Sequence, residues 1–216
     1  MSHILAPRIT QTDRSRRLAA AIALAAWAAL CVSLLRSLLP ADGDLLWELV
    51  VFSGFFTYWT NAAVALAVTL PLLAPESKPG RFFRRASVVT GVAVSITLVA
   101  VVYELLLRSG WGPLGIDLLL DLLLHYLIPA AFVAYWWLVT PVGRLSWRGP
   151  LSWLAYPAGY AGFVLVRGAL TGTYPYPFLD VGARGYLTVL SNVGAIGVAF
   201  LLLGSVFVGL GRLTGR

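Results

Sequence analysis

The sequence predicts an all-α, polytopic integral membrane protein, and three observations carry that prediction. Of its 216 residues, 59% are hydrophobic and only 12% charged, whereas a soluble domain carries about 25% charged residues. Mean hydropathy is +0.84. The apolar residues also fall into six stretches, at 18–39, 45–74, 86–107, 114–139, 151–170 and 186–210, each close to or beyond the roughly 20 residues a spanning helix needs. None alternates with a period of two, and lipid requires every backbone group to be satisfied within its own segment, so helices are expected rather than a barrel. A single bundle of six transmembrane helices over 1–216 leaves little for a soluble domain.

Arg8, Arg14, Arg16 and Arg17 precede the first stretch. Basic followed by apolar is the pattern of a signal peptide, but this run is too long and five more follow, so it reads as a retained first helix. Cys31 is the only cysteine; it excludes an internal disulfide and reads as a small buried hydrophobe. Lys78, Arg81, Arg84 and Arg85 follow the second stretch, Arg144 and Arg148 the fourth, and Arg212 and Arg216 the sixth. Asp42, Asp44 and Asp180, with Arg108 and Arg184, occupy the opposite loops. The positive-inside rule therefore places both termini in the cytoplasm. In a soluble protein the net charge of +7 would suggest a nucleic-acid partner; here topology accounts for it, and none is expected. Arg- and Ala-rich usage hints at a bacterial plasma membrane.

Segment 171–184 is the longest external one, and its aromatics and prolines read as an interfacial belt or as a short re-entrant lid. Trp47, Trp59, Trp111, Trp136, Trp137, Trp147 and Trp153 lie mostly near helix ends, where a belt also accounts for them. Glycines in the sixth stretch, at 194, 197, 204, 209 and 211, are expected to permit close helix packing.

Ionisable groups inside a span are functional candidates. In the fourth stretch Asp117, Asp121 and His125 recur every four residues and share one face within about 80°. His125 lies roughly 16–17 Å from the external end, near the midplane, and Pro129 can kink the helix beside it. In the second stretch Thr57, Thr60 and Asn61 share a face, with Thr57 about 18 Å deep, level with His125. A threonine and a histidine can therefore meet; packing roles for both are the alternative. Arg36, Glu48, Glu104, Arg167, Ser191 and Asn192 cluster toward the outer half. Glu104 and Arg167 are expected to snorkel or pair with neighbours, and any cavity to open outward or sideways.

Six spans, Phe-Thr-Tyr-Trp-Thr-Asn at 56–61, Leu-His-Tyr-Leu-Ile-Pro at 124–129 and Tyr-Pro-Tyr-Pro-Phe-Leu-Asp at 174–180 together resemble bacterial members of the androgen-induced-protein (androgen-dependent TFPI-regulating protein) family. The vertebrate members of that family are integral membrane hydrolases that cleave esters of fatty acids with hydroxy fatty acids, using an intramembrane Thr and His. The resemblance implies Thr57 as nucleophile, or Thr60 if the register shifts by one turn, and His125 as base.

Chemistry agrees with those roles: a threonine hydroxyl needs an adjacent base, and histidine suits it. Asp121, one turn away, is placed to orient the imidazole, and the Asn61 amide to stabilise an oxyanion. The expected partners are membrane lipids and a lipid-ester substrate. No cofactor is expected, nor a metal, since the potential ligands do not form a closed set. Two other readings follow from the same residues: a proton- or solute-coupled transporter or channel with Asp117, Asp121, His125 and Arg167 as relay, and a scaffold whose polar residues hold helices together.

Overall fold

The computed structural model describes residues 12–39, 44–110, 112–143 and 145–214. Arg8, Asp42, Trp111, Arg144 and Arg216 lie outside them. Among the described residues the regular elements are helical: α1 (Asp13–Leu38), α2 (Leu45–Phe52), α3 (Phe56–Leu73), α4 (Lys78–Phe83), α5 (Ala86–Val102), α6 (Ile116–Leu122), α7 (Ile128–Val139), α8 (Gly149–Trp153), α9 (Ala155–Thr171) and α10 (Val181–Thr214). A π turn, Tyr103–Leu107, extends α5, and a second, Leu123–Leu127, joins α6 to α7. Five helical segments are long and apolar enough to cross a membrane: Asp13–Leu38, Phe56–Leu73, Ala86–Gly110, Ile116–Val139 and Val181–Leu213.

Two expected spans are broken. The stretch expected as one helix over 45–74 divides at 53–55 into α2 and α3. The break persists because its freed carbonyls find side-chain donors: Trp59 Nε1 bonds Ser53 O at 2.7 Å and the Tyr160 hydroxyl bonds Gly54 O at 2.6 Å. Unpaired carbonyls at that depth would each cost several kcal/mol, of order the desolvation of a peptide group. The fifth stretch becomes α8 and α9, separated at Leu154; α9 has 17 residues, short of the roughly 20 of a straight span.

The core is built around α3, which packs against α1 and α5. Small residues make this close approach possible: Ala19 and Ala26 of α1 and Val64, Ala65 and Val68 of α3 are all fully buried in one cluster. On α10, Gly204 and Gly211 do the same, since a Cβ would lie 3.0 Å from Pro150 Cβ and 2.9 Å from Val142 Cβ. Gly194 faces open space instead. Two tryptophans expected in a belt are core residues: Trp136 donates to Thr90 Oγ1 at 2.9 Å and Trp153 to Ser87 Oγ at 3.0 Å. Cys31, expected to be buried, is exposed.

Candidate active site

Because the chain breaks at 53–55, Thr57 lies in the first turn of α3 rather than in mid-helix. The amides of a helix's first turn have no intrahelical partner, and Phe55, at the N-cap, supplies no side-chain cap. Thr57 is buried, and its Oγ1 is 3.3 Å from His125 Nε2. The two residues are thus brought together across α3 and the π turn that joins α6 to α7.

His125 is held on its other side. Its Nδ1 lies 3.1 Å from Asp121 O and 3.1 Å from Asp121 Oδ1. Two acceptors at Nδ1 assign the proton there, which leaves Nε2 free to accept from Thr57. Asp121 is itself buried, and its Oδ2 accepts from the Tyr103 hydroxyl at 2.7 Å. The Tyr103 ring also stacks on the imidazole, with centroids 3.8 Å apart and planes 13° from parallel. One tyrosine therefore fixes both the carboxylate and the plane of the histidine. Tyr103 starts one π turn and His125 lies within the other; such turns recur at functional sites because they re-aim side chains.

Asn61 does not have the role expected of it. Ile128 N–H bonds Leu123 O across the π turn, so Leu124 O loses its ordinary α partner, and Pro129 has no N–H to replace it. The Asn61 amide takes that place, donating to Leu124 O at 3.2 Å and to Thr57 O at 2.9 Å. Both of its protons are spent, so it has none to offer an oxyanion. Thr60 is also directed elsewhere: its Oγ1 lies 3.1 Å from the Tyr156 hydroxyl of α9.

Segment 171–184 enters the bundle. Tyr176 and Leu179 are buried, and the Tyr176 phenol faces the hydroxyl and backbone of Thr57 and the backbone of Phe56. Asn192 Nδ2 and Arg184 Nε tie the segment down by donating to Phe178 O at 2.9 Å and Pro177 O at 2.7 Å. Tyr174 lies flat over Gly168, where a Cβ would collide with its ring. Segment 171–184 thus lies partly inside the bundle, with Tyr176 and Leu179 in its core. Nothing in the sequence singles out Tyr103; the Pro-flanked, uncharged Tyr-Pro-Tyr-Pro run is the signal that points to Tyr176.

Thr57 lies on the wall of a cavity of about 370 Å³ bounded by α3, α5, α9, α10 and this segment. Apart from Thr57 and the tyrosines, the wall is apolar, with Leu98, Val102, Phe178 and Phe200 among its residues. It reaches the outer surface of the bundle at Val198, which is 57% exposed. The arrangement joins an acyl-sized apolar space to a hydroxyl paired with a base.

The remaining ionisable groups do not extend this cluster. Asp117 pairs with Arg36 at 2.8 Å on an exposed edge, and Glu104 pairs with Arg108 at 2.9 Å and accepts from the Tyr126 hydroxyl at 2.5 Å. Glu48 accepts from Ser37 at 3.2 Å. Arg167, expected to snorkel or pair, is buried instead, with no ion pair among the described residues. The four residues of the expected relay therefore separate into three places. Among the described residues no group of three or more His, Cys, Asp or Glu side chains could hold a metal ion. Comparison with family models, curated proteins and solved structures finds no match to this chain.

Proposed function

We propose that this protein is an intramembrane hydrolase of lipid esters, with Thr57 as nucleophile and His125 as general base. The observation that carries the reading is the 3.3 Å contact between Thr57 Oγ1 and His125 Nε2 at the wall of an apolar cavity of about 370 Å³. The ester carbonyl lies beside Thr57 and an acyl chain fills the cavity. Thr57 Oγ attacks the carbonyl carbon as His125 Nε2 takes its proton, and the C–O bond to the alcohol breaks as the imidazolium returns that proton to the leaving oxygen. A water then attacks the acyl-threonine with His125 again as base, releasing the fatty acid and restoring the hydroxyl. Asp121 holds the tautomer and balances the imidazolium charge. The donors for the oxyanion are the Phe56 and Thr57 amides, which face the Tyr176 phenol in the resting structure; the oxyanion takes them by displacing that phenol, whose hydroxyl then turns to donate to it.

In this reading α8 and α9 together make the sixth crossing, both termini are cytoplasmic, and the membrane is a bacterial plasma membrane. Membrership of the androgen-induced-protein family, proposed from the three motifs, agrees with the same two residues.

The test is labelling of the detergent-purified protein with a hydroxyl-directed fluorophosphonate. Wild type and Thr60→Ala should label, and Thr57→Ala and His125→Ala should not. A folded wild type that takes no label would refute an activated threonine.

A further inference from the structure

A second, separate site follows from Arg167. A guanidinium stays charged at any depth, and a buried charge is ordinarily paired. Arg167 is only 8% exposed, and its Nε and Nη1 are buried with no hydrogen-bond partner. The side chain packs against Gly54, where a Cβ would collide with Nη1, so the break between α2 and α3 makes room for it. Among the described residues its surroundings offer no anion: the Ser53 hydroxyl donates to Val50 O at 2.9 Å, and that of Thr171 to Arg167 O at 2.9 Å.

Arg167 lies in a groove between α2 and the C-terminal half of α9, lined by Val50, Ser53, Phe163, Val166 and Leu170 among others. None of its lining residues is shared with the cavity at Thr57. Val166 and Leu170 are 62% and 83% exposed, so the groove is open along its side. Arg167 is four residues before the end of α9, about 6 Å along the axis; with α8 and α9 crossing the bilayer as proposed above, that depth is where headgroups would give way to acyl chains. We infer that this groove binds an acyl-chain amphiphile with an anionic oxygen head, carboxylate or phosphate, on Arg167, its chain lying along Phe163, Val166 and Leu170. The site owes nothing to the hydrolase reading and should bind whether or not Thr57 is reactive.

Native mass spectrometry of the full chain in neutral detergent tests this with three probes of equal chain length: palmitate, hexadecyl phosphate and uncharged hexadecanol. At least one anion should bind about tenfold or more tightly than the alcohol, as loss of a charged hydrogen-bond partner predicts; which anion binds identifies carboxylate or phosphate as the head recognised. Arg167→Gln should remove that preference. Should Arg167→Gln not fold, Gly162→Phe replaces it: Gly162 lines the groove and a Cβ there meets nothing within 4 Å, so the ring blocks the chain without touching Arg167. Thr57→Ala should bind like wild type. Equal binding of hexadecanol and both anions, unchanged anion binding in a folded variant, or a groove closed by a second copy in a stable dimer would overturn the inference.

Discussion

Replacing Tyr103 by Phe removes one oxygen and leaves the ring stacked on His125, which makes it a test of how the imidazole is held. The hydroxyl donates at 2.7 Å to Asp121 Oδ2, and both residues are buried. A hydrogen bond to a charged group in such surroundings contributes about 1.5–3 kcal/mol. Asp121 keeps Oδ1 on His125 Nδ1 at 3.1 Å, so the base is not lost, but the carboxylate gains a rotation that it lacks in wild type. If that energy is spent on holding the imidazole for proton transfer, kcat should fall about 10- to 150-fold. KM should stay near wild type, since the ring and the cavity wall are unchanged. Hydrolysis of a chromogenic long-chain ester in neutral detergent, with melting temperature measured in parallel, reads both quantities. Tyr103→Leu, which also removes the stacked ring, should lose more activity than Tyr103→Phe. A folded Tyr103→Phe with wild-type kcat would refute a positioning role for Tyr103, and a tenfold rise in KM alone would make it a contact of the substrate.

Other perturbations separate the remaining parts. Asp121→Asn offers Nδ1 an amide that can also donate, favouring the wrong tautomer, so activity should fall about 10²-fold or more; full activity would remove Asp121 from the chemistry. Gly197→Leu places a side chain in the cavity, where its Cβ is 4.0 Å from the nearest neighbour, Leu154 Cδ1; hydrolysis of long-chain esters should drop at least about tenfold while an acetate ester is spared, and equal losses on both would place the acyl chain elsewhere. Asn61→Ala orphans the Leu124 carbonyl and should lower stability by about 1–3 kcal/mol, read as a drop in melting temperature. Gly168→Ala must displace Tyr174 from α9; proteolysis within 172–180 should quicken, and an unchanged rate would mean that Tyr174 does not hold the segment.

How much of this was legible follows from what is local. Helicity comes from long apolar runs and needs no partner, so the class of fold could be read directly. The break at 53–55 could not, because no proline marks it and one of its carbonyls, Gly54 O, is satisfied by Tyr160, 106 residues away. That break changes the site more than the fold. It turns Thr57 from a mid-helix hydroxyl, which would ordinarily bond the carbonyl one turn back, into a first-turn residue whose amide and hydroxyl face Tyr176. Thr57 and His125 were readable as a pair because each is the polar residue of its span at one depth. Asn61 was placed on the right face but given the wrong work, since the carbonyl it caps exists only through the π turn and Pro129 acting together. Asp117 and Asp121 shared a face in the sequence, yet one goes to Arg36 and the other to Tyr103, a choice made by neighbouring helices. The candidate site thus depends on three irregularities, one broken helix and two π turns, of which the break and the second π turn are satisfied by distant side chains, Tyr160 and Asn61. Periodicity within a single segment carries no trace of a partner on another, which is why Thr57 and His125 could be expected at one depth while the contacts that Tyr103 and Tyr176 make with them could not.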